Sequence, residues 1–508
     1  MKHLISRLER RLIKAKLARS QPAALIAQGE KRLLAVFKRA AKHSPAYQTL
    51  LAEAGVRLAD IRTLDDVLLH APILNKANTF QRFNVRQLLR DHIVADDLAS
   101  VLTSSGHGGN GFALGLSTRQ QARNAAWSID LGLELAFGVD QRRTLLVNCL
   151  PMGVTFSSEA VCVANVSVRE DMACAVIQQT DELFEQIILC GDPLFLKRLC
   201  DYSQEIGLDW RRYRVHVILG EETFPETFRD YLAQVLGNNP DSLESGLIGS
   251  SMGVGELGLN LFNETRETVA LRRACIRHPA LLKQLTGIDL AVSPSATARS
   301  AFSAWPPGSA VASPAPAFMV YNPLRTVIEV VNADAQGIGD LLVSVLDNQT
   351  PIPLIRYATG DRMQHIAPDA VAGAARDLGL DLPLPTLPMV ALHGRSKDIL
   401  PGGGHIDLFK EALYQHSHVA QKMSGAHQLV MAADGLHWQV QANKGVTLDR
   451  QQLEAWHAAL HSCLTSKIPN QKLTIEIALY EDFSPGKGID YERKFVYWLD
   501  NQTELNPA

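Results

Sequence analysis

The sequence contains no apolar run near the ~20 residues that a membrane-spanning helix needs, so no transmembrane segment is predicted. Its seven cysteines form no CxxC pair, and most lie in apolar stretches such as LLVNCL and IILCGD. We therefore expect reduced, buried thiols rather than a disulfide framework or a zinc site. The opening residues also lack a secretory apolar region and a cleavage signal, which agrees with a cytoplasmic location.

Neither sign of charge predominates. The chain has 50 Lys and Arg against 53 Asp and Glu, a net charge of -3, which gives no argument for a nucleic-acid partner. The 508 residues, 46% hydrophobic and 20% charged, indicate a globular protein with more than one domain. This composition excludes a wholly disordered, collagen-like or coiled-coil chain.

The first twenty residues are the exception, because seven cations there face one acid, Glu9. Apolar residues recur at helical spacing, which predicts a basic amphipathic helix: Leu4, Ile5, Leu8, Leu12 and Ile13. We expect this helix to pack on its own domain or on a second subunit, which leaves a homodimer open. A peripheral membrane contact is the disfavoured alternative, because the apolar face has no Trp or Phe.

Hydrophobic periodicity and the positions of turn-forming residues divide the chain into four parts. Residues 1–100 are predicted to be helical, packed on the large domain, with breaks at Ser44-Pro45 and Ala71-Pro72. Residues 101–393 alternate short apolar strands with helices, which favours an α/β core with parallel strand pairs. The predicted strands are 144–149, 160–168, 186–190, 214–220 and 246–251, and the predicted helices are 119–138, 195–207 and 227–236.

The second half of the chain adds smaller units. Residues 293–317 are rich in Ser, Ala and Pro and predict a loop or connector, and the β-branched runs 326–331 and 340–346 predict a small barrel-like sheet. Turn formers at 394–404 predict a hinge, and 405–508 a mobile α+β domain. The predicted fold is thus α/β: a large multi-layer N-terminal domain with parallel-rich sheets and a barrel-like sheet, plus a small C-terminal domain.

A glycine-rich segment and a Thr-Gly-Asp turn are the candidate ligand contacts. Residues 103–111, TSSGHGGNG, place four glycines and three hydroxyl residues where backbone N–H groups can converge on an anion, although such a segment is more often a plain turn. No Gly-Lys-Ser/Thr follows, so it is not a Walker loop. Asp361 ends the predicted strand of PLIRYATGD, where its carboxylate suits the hydroxyl pair of a ribose or closes its own turn.

Five segments follow the order and spacing of adenylate-forming enzymes, and the chain resembles the phenylacetate–CoA ligase family over about residues 30–500. Residues 104–109 are similar to the family's SSGTTG loop, 353–361 to PxIRYRTGD, and 394–398 to GRSDD. Residues 220–222 and 252–256 resemble its GxE and Tyr-Gly-x-Ser/Thr-Glu segments, and 71–76 resembles its LPxxxK element.

The resemblance implies an ATP-dependent, AMP-forming acyl- or aryl-CoA ligase. In that family a carboxylate attacks the α-phosphate of ATP, the C-terminal domain rotates, and a thiol converts the acyl-AMP to a thioester. The implied cofactors are ATP, Mg²⁺ and coenzyme A, or the phosphopantetheine arm of a carrier protein. Transfer to an amine, or a degenerate member that binds ligand without adenylating it, are the alternatives.

The resemblance also implies roles for individual residues. Asp361 would bind the ribose, Arg395 the ribose or a phosphate, Glu256 Mg²⁺, and Asp398 would be the hinge. Glu222 would lie near the adenine, and Gly253 belongs to the 252–256 segment. The remaining implied nucleotide contacts are those of the phosphate loop: Ser104, Ser105, Gly106, His107 and Gly109.

Several positions depart from the family pattern. His107 and Gly108 replace the loop threonines, Met252 replaces the adenine-stacking Tyr, and Gly255 replaces a phosphate-binding Ser or Thr. Each lost hydrogen bond to a charged phosphate costs ~1.5–3 kcal/mol. His107 is either a replacement donor or an exposed loop residue. These losses favour the non-adenylating alternative, whereas the retained acids and Arg395 oppose it.

Two lysines compete for the family's adenylation lysine. Lys494 lies at the better distance from the end, and Lys487 has flexible glycine neighbours; we predict Lys494. The acid substrate is expected near 151–153 and 250–255, where the small apolar segment CLPMG offers no cation for a second charge. An apolar or aromatic carboxylic acid is therefore predicted.

Overall fold

The computed structural model of the protein describes residues 2–104, 112–242, 244–289, 314–400, 404–447, 449–465, 467–468, 472–483 and 489–499. Several predictions fall outside these residues. They are the phosphate-loop positions Ser105, Gly106, His107 and Gly109, the alternative lysine Lys487, the middle of the predicted hinge at 401–403, and most of the predicted connector at 293–317.

The N-terminal segment is helical, and its breaks confirm the prediction. The helices within residues 2–104 are α1 (Lys2–Leu17), α2 (Pro22–His43), α3 (Pro45–Glu53), α4 (Leu64–His70) and α5 (Val85–Leu88). Ser44 ends α2 and caps α3, since its side chain accepts a hydrogen bond from the Tyr47 N–H. Ala71 ends α4 in an extended conformation because a proline follows it.

A two-stranded hairpin follows, formed by β1 (Leu98–Ser104) and β2 (Ala113–Thr118). The pairing runs from Leu98 opposite Thr118 to Ser104 opposite Ala113. The glycine-rich segment therefore connects two paired strand ends, and Ser104 is the last residue of β1.

Eleven of the described strands form one mixed sheet. They are β3 (Thr144–Asn148), β4 (Cys162–Asn165), β5 (Gln186–Gly191), β6 (Arg214–Leu219), β7 (Ile248–Val254), β8 (Gly258–Asn263), β9 (Ala317–Tyr321), β10 (Thr326–Val331), β11 (Gly339–Val345), β12 (Tyr357–Ile366) and β13 (Met389–Arg395). Their order across the sheet is β10-β11-β12-β13-β9-β8-β7-β6-β5-β3-β4. Strands β3 to β7 pair in parallel, as predicted, and the remaining neighbours pair antiparallel.

The strands expected in a barrel-like sheet belong instead to the antiparallel end of this large sheet. Residues 326–331 and 339–345 are strands, as predicted, but β9 pairs with both β8 and β13. Strand β7 connects the two parts of the sheet, since its residues 248–250 pair with β6 and its residues 251–254 pair with β8. Local β-branched composition predicts the strands but does not determine which neighbour they pair with.

Helices cover the sheet: α6 (Arg119–Phe137), α7 (Glu170–Gln179), α8 (Pro193–Glu205), α9 (Glu226–Leu236), α10 (Arg266–Arg277), α11 (Pro279–Thr286) and α12 (Pro368–Asp377). In β3, Leu145 and Val147 pack into one buried cluster while Leu146 packs into another on the opposite face. Burial on both faces explains why these strands are continuous apolar runs rather than alternating ones.

A smaller α+β unit contains the C-terminal part of the chain. Its elements are α13 (Asp407–Gln415), α14 (Ser417–Ala420), β14 (Met423–Ala432), β15 (Gly435–Ala442), α15 (Arg450–Thr465), β16 (Leu473–Ala478) and β17 (Trp498–Leu499). The sheet order is β16-β15-β14-β17, and Trp438 and Phe409 pack at its core. The large mixed sheet and this separate sheet together confirm the predicted α/β class.

The seven cysteines are free thiols, and five of them are buried; Cys162 is exposed. Burial raises the pKa of Cys190 to about 12, which keeps it protonated at neutral pH. Among the described helices, none is both long enough and apolar enough to span a membrane.

A buried ionic cluster holds β7 in place. Arg229 on α9 is fully buried, and its Nη2 lies 2.9 Å from Oε1 of Glu226 and 2.9 Å from Oε1 of Glu264. Arg229 also donates to the carbonyl of Ile248, while Glu264 accepts from the Ser250 N–H at 2.8 Å. The cluster therefore joins α9 to the strand that leads into residues 252–256.

Removing this arginine is expected to destabilise the protein strongly. Arg229→Ala leaves a fully buried Glu264 carboxylate without its main partner, so the free energy of unfolding falls by about 3–5 kcal/mol. Urea unfolding followed by circular dichroism measures this loss. The control is Arg450→Ala, which removes an exposed pair with Glu454 and leaves the unfolding midpoint unchanged. An unchanged midpoint in Arg229→Ala contradicts the interpretation.

Candidate functional site

One large cavity, with a volume of about 2170 Å³, lies between the main sheet and the C-terminal unit. Residues that the sequence analysis singled out line it from both sides: Glu222, Gly253, Glu256, Asp361, Arg395, Asp398 and Lys494. These residues come from distant parts of the chain. The fold therefore brings these seven predicted residues together at one cavity.

The PLIRYATGD segment positions one wall of the cavity. Arg356 adopts a left-handed backbone, with φ 56°, and its buried guanidinium pairs with Glu329 at 3.0 Å. Leu74 forms a short parallel bridge beside it, donating to the carbonyl of Arg356 at 3.0 Å and accepting from the Ala358 N–H at 2.8 Å. This bridge brings the 71–76 element to the cavity and places Lys76 in its wall.

Glu256 lies opposite that bridge. Its side chain is 2% exposed, and its Oε1 accepts a hydrogen bond from the hydroxyl of Tyr357 at 2.7 Å. The Nζ of Lys76 is 3.9 Å from the same oxygen. Burial, and then the neighbouring Glu256 carboxylate, raise the pKa of Tyr357 well above its ordinary value, so Tyr357 remains a donor. The Glu256 carboxyl group is thereby held at the cavity wall close to Lys76.

Asp361 and Arg395 face each other across the β12–β13 ladder. The Arg395 Nε donates to Asp361 Oδ1 at 2.9 Å, and this carboxylate raises the pKa of Arg395. The second oxygen, Oδ2, is buried and has no hydrogen-bond partner among the residues the structure describes. A buried carboxylate oxygen without a donor is costly in the free protein. Its position at the cavity makes it ready to accept a ligand hydroxyl.

The side chain of Asp398 holds the backbone of Arg395 through a hydrogen bond. Its Oδ2 accepts the Arg395 backbone N–H at 3.1 Å, and its carbonyl accepts from the Ile406 N–H at 2.9 Å. Gly394 has φ 79°, and a Cβ there would lie 3.0 Å from Nε2 of His405, so glycine is required. The predicted hinge position is thus in contact with both Arg395 and the chain that follows it.

Lys494 reaches the cavity from the C-terminal unit. Its Nζ lies 2.9 Å from Oε2 of Glu221, a residue with φ 70° in the segment 220–222. Lys397 also lines the cavity, near enough to Lys494 for the two positive charges to repel each other. Partial burial lowers the pKa of Lys397, and the charges of Arg395 and Lys494 lower it further. Cations from two segments therefore converge on one region, a favourable environment for phosphate groups.

Glu222 has a different environment from its neighbour. Its carboxylate pairs with Lys410 on α13 at 3.0 Å and accepts from the Tyr497 hydroxyl at 2.9 Å. Burial lowers the pKa of Lys410, but Glu222 and Asp407 raise it well above its ordinary value. Although Glu222 lines the cavity, its side chain is engaged in holding the C-terminal unit against the main domain.

Two glycines are required by backbone packing. A Cβ on Gly253 would lie 2.9 Å from the Cα of Leu259, because β7 and β8 approach closely there. A Cβ on Gly115 of β2 would lie 2.1 Å from the carbonyl oxygen of Gly255. The hairpin that carries the glycine-rich segment therefore packs directly on the 252–256 segment.

The predicted acid pocket is also in the cavity wall. Residues 151–153 and 250–255 line it, as does an apolar surface that α6 contributes through Ile129, Gly132 and Leu133. Leu146 and Cys190 face the same helix from the sheet. Sequence reasoning missed the α6 contribution because no local signal shows which strands a helix covers.

Sequence reasoning also missed several polar side chains of the cavity: Lys76, Asp192, Tyr357, Lys397 and Lys410. Lys76 and Tyr357 lie inside the recognised segments 71–76 and 353–361. Their polar side chains could therefore have been predicted as site residues from the sequence. Asp192 and Lys410 lie in no recognised motif. Their place in the site depends on contacts with Glu221 and Glu222, which are distant in the sequence.

Comparison with known proteins shows the fold. Neither a protein-family model nor a curated protein matches the sequence. Among solved structures, the chain is similar to 2-hydroxyisobutyryl-CoA ligase in the postadenylation state with R3-HIB-AMP: TM-score 0.64 and 14% identity, over 96% of this chain and 91% of that chain. The same ligase in the thioesterification state, with 2-HIB-AMP and CoA, gives TM-score 0.50 and 14% identity, over 94% of this chain and 89% of that chain.

Asp192 makes the cavity sensitive to pH. It caps α8 by accepting the Phe195 N–H at 3.0 Å, and it lines the cavity beside Glu221 and Glu222. Burial, with a smaller contribution from the charges of Glu222 and Glu221, raises the pKa of Asp192 to about 7. Below this pKa the carboxyl is neutral, so the cavity loses one negative charge as the pH falls.

We predict that the free energy of unfolding falls more steeply from about pH 4 to about pH 7 in the wild type than in Asp192→Asn, because the folded protein holds the Asp192 proton more tightly than the unfolded chain does. Asparagine retains the helix cap while its charge is constant. The other titrating groups are common to both proteins, so the difference between the two urea-unfolding profiles isolates Asp192. Identical profiles contradict this role.

Proposed function

We propose that the protein is an AMP-forming acid–thiol ligase that activates an apolar or aromatic carboxylic acid with ATP and transfers the acyl group to coenzyme A. The acid's carboxylate oxygen bonds to the α-phosphorus, and the bond to the bridging oxygen breaks to release pyrophosphate. The thiol sulfur then attacks the acyl carbon, AMP leaves, and the thiol proton passes to solvent.

The observation that carries this proposal is the Asp361–Arg395 pair. One carboxylate oxygen is occupied by Arg395, and the buried Oδ2 is left to accept a hydroxyl. A ribose offers two hydroxyl donors to such a group. Asp361 would hold the nucleotide's sugar while the hydrogen bond from Arg395 fixes the direction of the carboxylate.

The charges around the cavity suit a triphosphate. Lys76, Lys397 and Lys494 line the cavity with Arg395, which supplies cations on more than one side. Magnesium in nucleotide sites is commonly held by one or two carboxylates together with substrate phosphates. Glu256 fits this as the single protein carboxylate, because Tyr357 engages only one of its oxygens through a hydrogen bond. The ion would neutralise phosphate charge when bound.

Lys494 is proposed as the lysine that acts in adenylation. Its ammonium is at the cavity in this domain arrangement and is paired with Glu221, an interaction that an incoming carboxylate and α-phosphate can replace. The arrangement is more similar to the postadenylation state of the related ligase than to its thioesterification state. Both facts support adenylation in the orientation seen here.

The apolar wall supports the substrate class. Ile129, Leu133 and Leu146 offer no charge to a substrate body, so desolvating an apolar or aromatic group is favourable there. Carrier-protein or amine acceptors remain alternatives within the same chemistry. A member that binds without adenylating is the second candidate, favoured by Met252 and Gly255, which remove a stacking ring and a hydroxyl from the nucleotide side.

Exchange of labelled pyrophosphate into ATP tests adenylation directly. Across a panel of apolar and aromatic acids, we expect at least one acid to give acid-dependent exchange. Lys494→Ala should slow this exchange about 10²–10³-fold, because one preorganised positive group is removed from the developing charge. Adding coenzyme A to the reaction should give the corresponding thioester, detected by mass spectrometry.

Lys472→Ala is the matched lysine control, since Lys472 is 70% exposed and pairs only with Asp434 among the described residues. It should exchange at the wild-type rate. Full exchange by Lys494→Ala refutes the assigned lysine and moves the role to Lys487. No exchange with any acid, while ATP still binds, supports the non-adenylating alternative.

A further inference from the structure

Helix α1 packs on the main domain through its charged side. Arg10 pairs with Asp140, its Nε donating to Oδ2 at 3.1 Å, and Lys14 pairs with Glu134 at 3.0 Å. Arg7 donates to the carbonyl of Asp140. The side chains of Arg10 and Asp140 are each 4% exposed, and that of Lys14 is 44% exposed. The ionic stripe therefore lies on the side of the helix that faces the main domain, and Arg10 is its buried centre.

The apolar side of α1 faces outward. Ile5, Leu8 and Leu12 are 53%, 58% and 63% exposed. These three residues form an apolar stripe with the spacing i, i+3, i+7. Arg7, Arg10 and Lys14 form an ionic stripe with the same spacing, shifted by two residues along the sequence. Two residues correspond to about 200° around an α-helix, so the stripes lie on opposite faces. A surface helix of a globular domain ordinarily has the reverse orientation.

The exposed part of α1 and the turn after it are also basic. Arg11, Lys16 and Arg19 are exposed there, against one exposed acid, Glu9. An outward apolar stripe with flanking cations is typical of helices that lie in the interface of an anionic membrane. A second copy of the chain suits this surface less well, because a two-fold pairing of the α1 stripes brings the flanking cations of both copies into one interface, where they repel each other.

We infer that α1 is a peripheral docking surface for an anionic lipid bilayer. Ile5, Leu8 and Leu12 would enter the headgroup boundary, and Arg11 and Lys16 would contact lipid phosphates. The docked ionic stripe keeps the helix axis parallel to the surface of the main domain. This inference does not depend on the proposed ligase activity.

Co-sedimentation of the full chain with vesicles tests the inference. We expect binding to phosphatidylcholine vesicles that contain phosphatidylglycerol, weaker binding to pure phosphatidylcholine, and a decrease on addition of salt. The double variant Leu8→Gln, Leu12→Gln should bind at least about tenfold more weakly. The variant Arg11→Gln, Lys16→Gln should lose about fivefold for each cation.

The matched control is Leu69→Gln, which changes a 76% exposed leucine on α4 and should bind like the wild type. Because Leu8 and Leu12 are exposed, their variants should melt at the wild-type temperature, and the melting curve verifies this. Wild-type binding by the double glutamine variant overturns the inference. So does a wild-type dimer, seen by light scattering, that this variant dissociates, since the face then belongs to a second copy.

Discussion

Strand β12 determines the geometry of the site because it is fixed along both edges before it reaches the cavity. Its partners are β11 and β13, and the bridge to Leu74 adds a third segment next to Tyr357. The left-handed Arg356 turns the chain at the start of the strand and is held there by Glu329. A buried ion pair thus supports a strained residue, and the next five residues bring both Tyr357 and Asp361 to the wall of one cavity.

The C-terminal unit is held against the main domain by both polar and apolar contacts. Glu222 bonds Lys410 and Tyr497, while Leu194 of α8 packs in one buried cluster with Ala426 and Phe483. These contacts place Lys494 at the cavity. A rotation of the unit would expose the apolar cluster and separate the Glu222–Lys410 pair, so the orientation seen here has its own stabilising energy.

The positions of helices and strands were easier to predict from the sequence than the pairing of the strands. The strands 144–148 and 186–191 were recognisable because both of their faces are buried, which leaves a continuous apolar run. The antiparallel strands were located but placed in a separate barrel-like sheet, since pairing partners are not encoded in local composition. Within the site, Asp361 and Arg395 were recognisable from motifs. The raised pKa of Asp192 was not, because it depends on burial and on the nearby charges of Glu222 and Glu221.

A similar limit applies to α1. Its spacing predicted an amphipathic helix on its own domain, and the contacts with Asp140 and Glu134 confirm that it packs there. The sequence does not show which face is buried, because acids on α6 and after it decide this. Three-dimensional charge pairing therefore reversed the orientation that apolar periodicity alone favours.

The proposed role of Asp361 is to bind ribose hydroxyls through its buried Oδ2, and calorimetric titration with ATP and with 2′,3′-dideoxy-ATP measures this role. We expect the wild type to bind ATP about ten- to a hundredfold more tightly than the dideoxy nucleotide, the range for hydrogen bonds to a charged group. Asp361→Asn, shown to be folded by its melting curve, should lose most of this difference in affinity. Equal affinity of the wild type for the two nucleotides would rule out this role of Asp361.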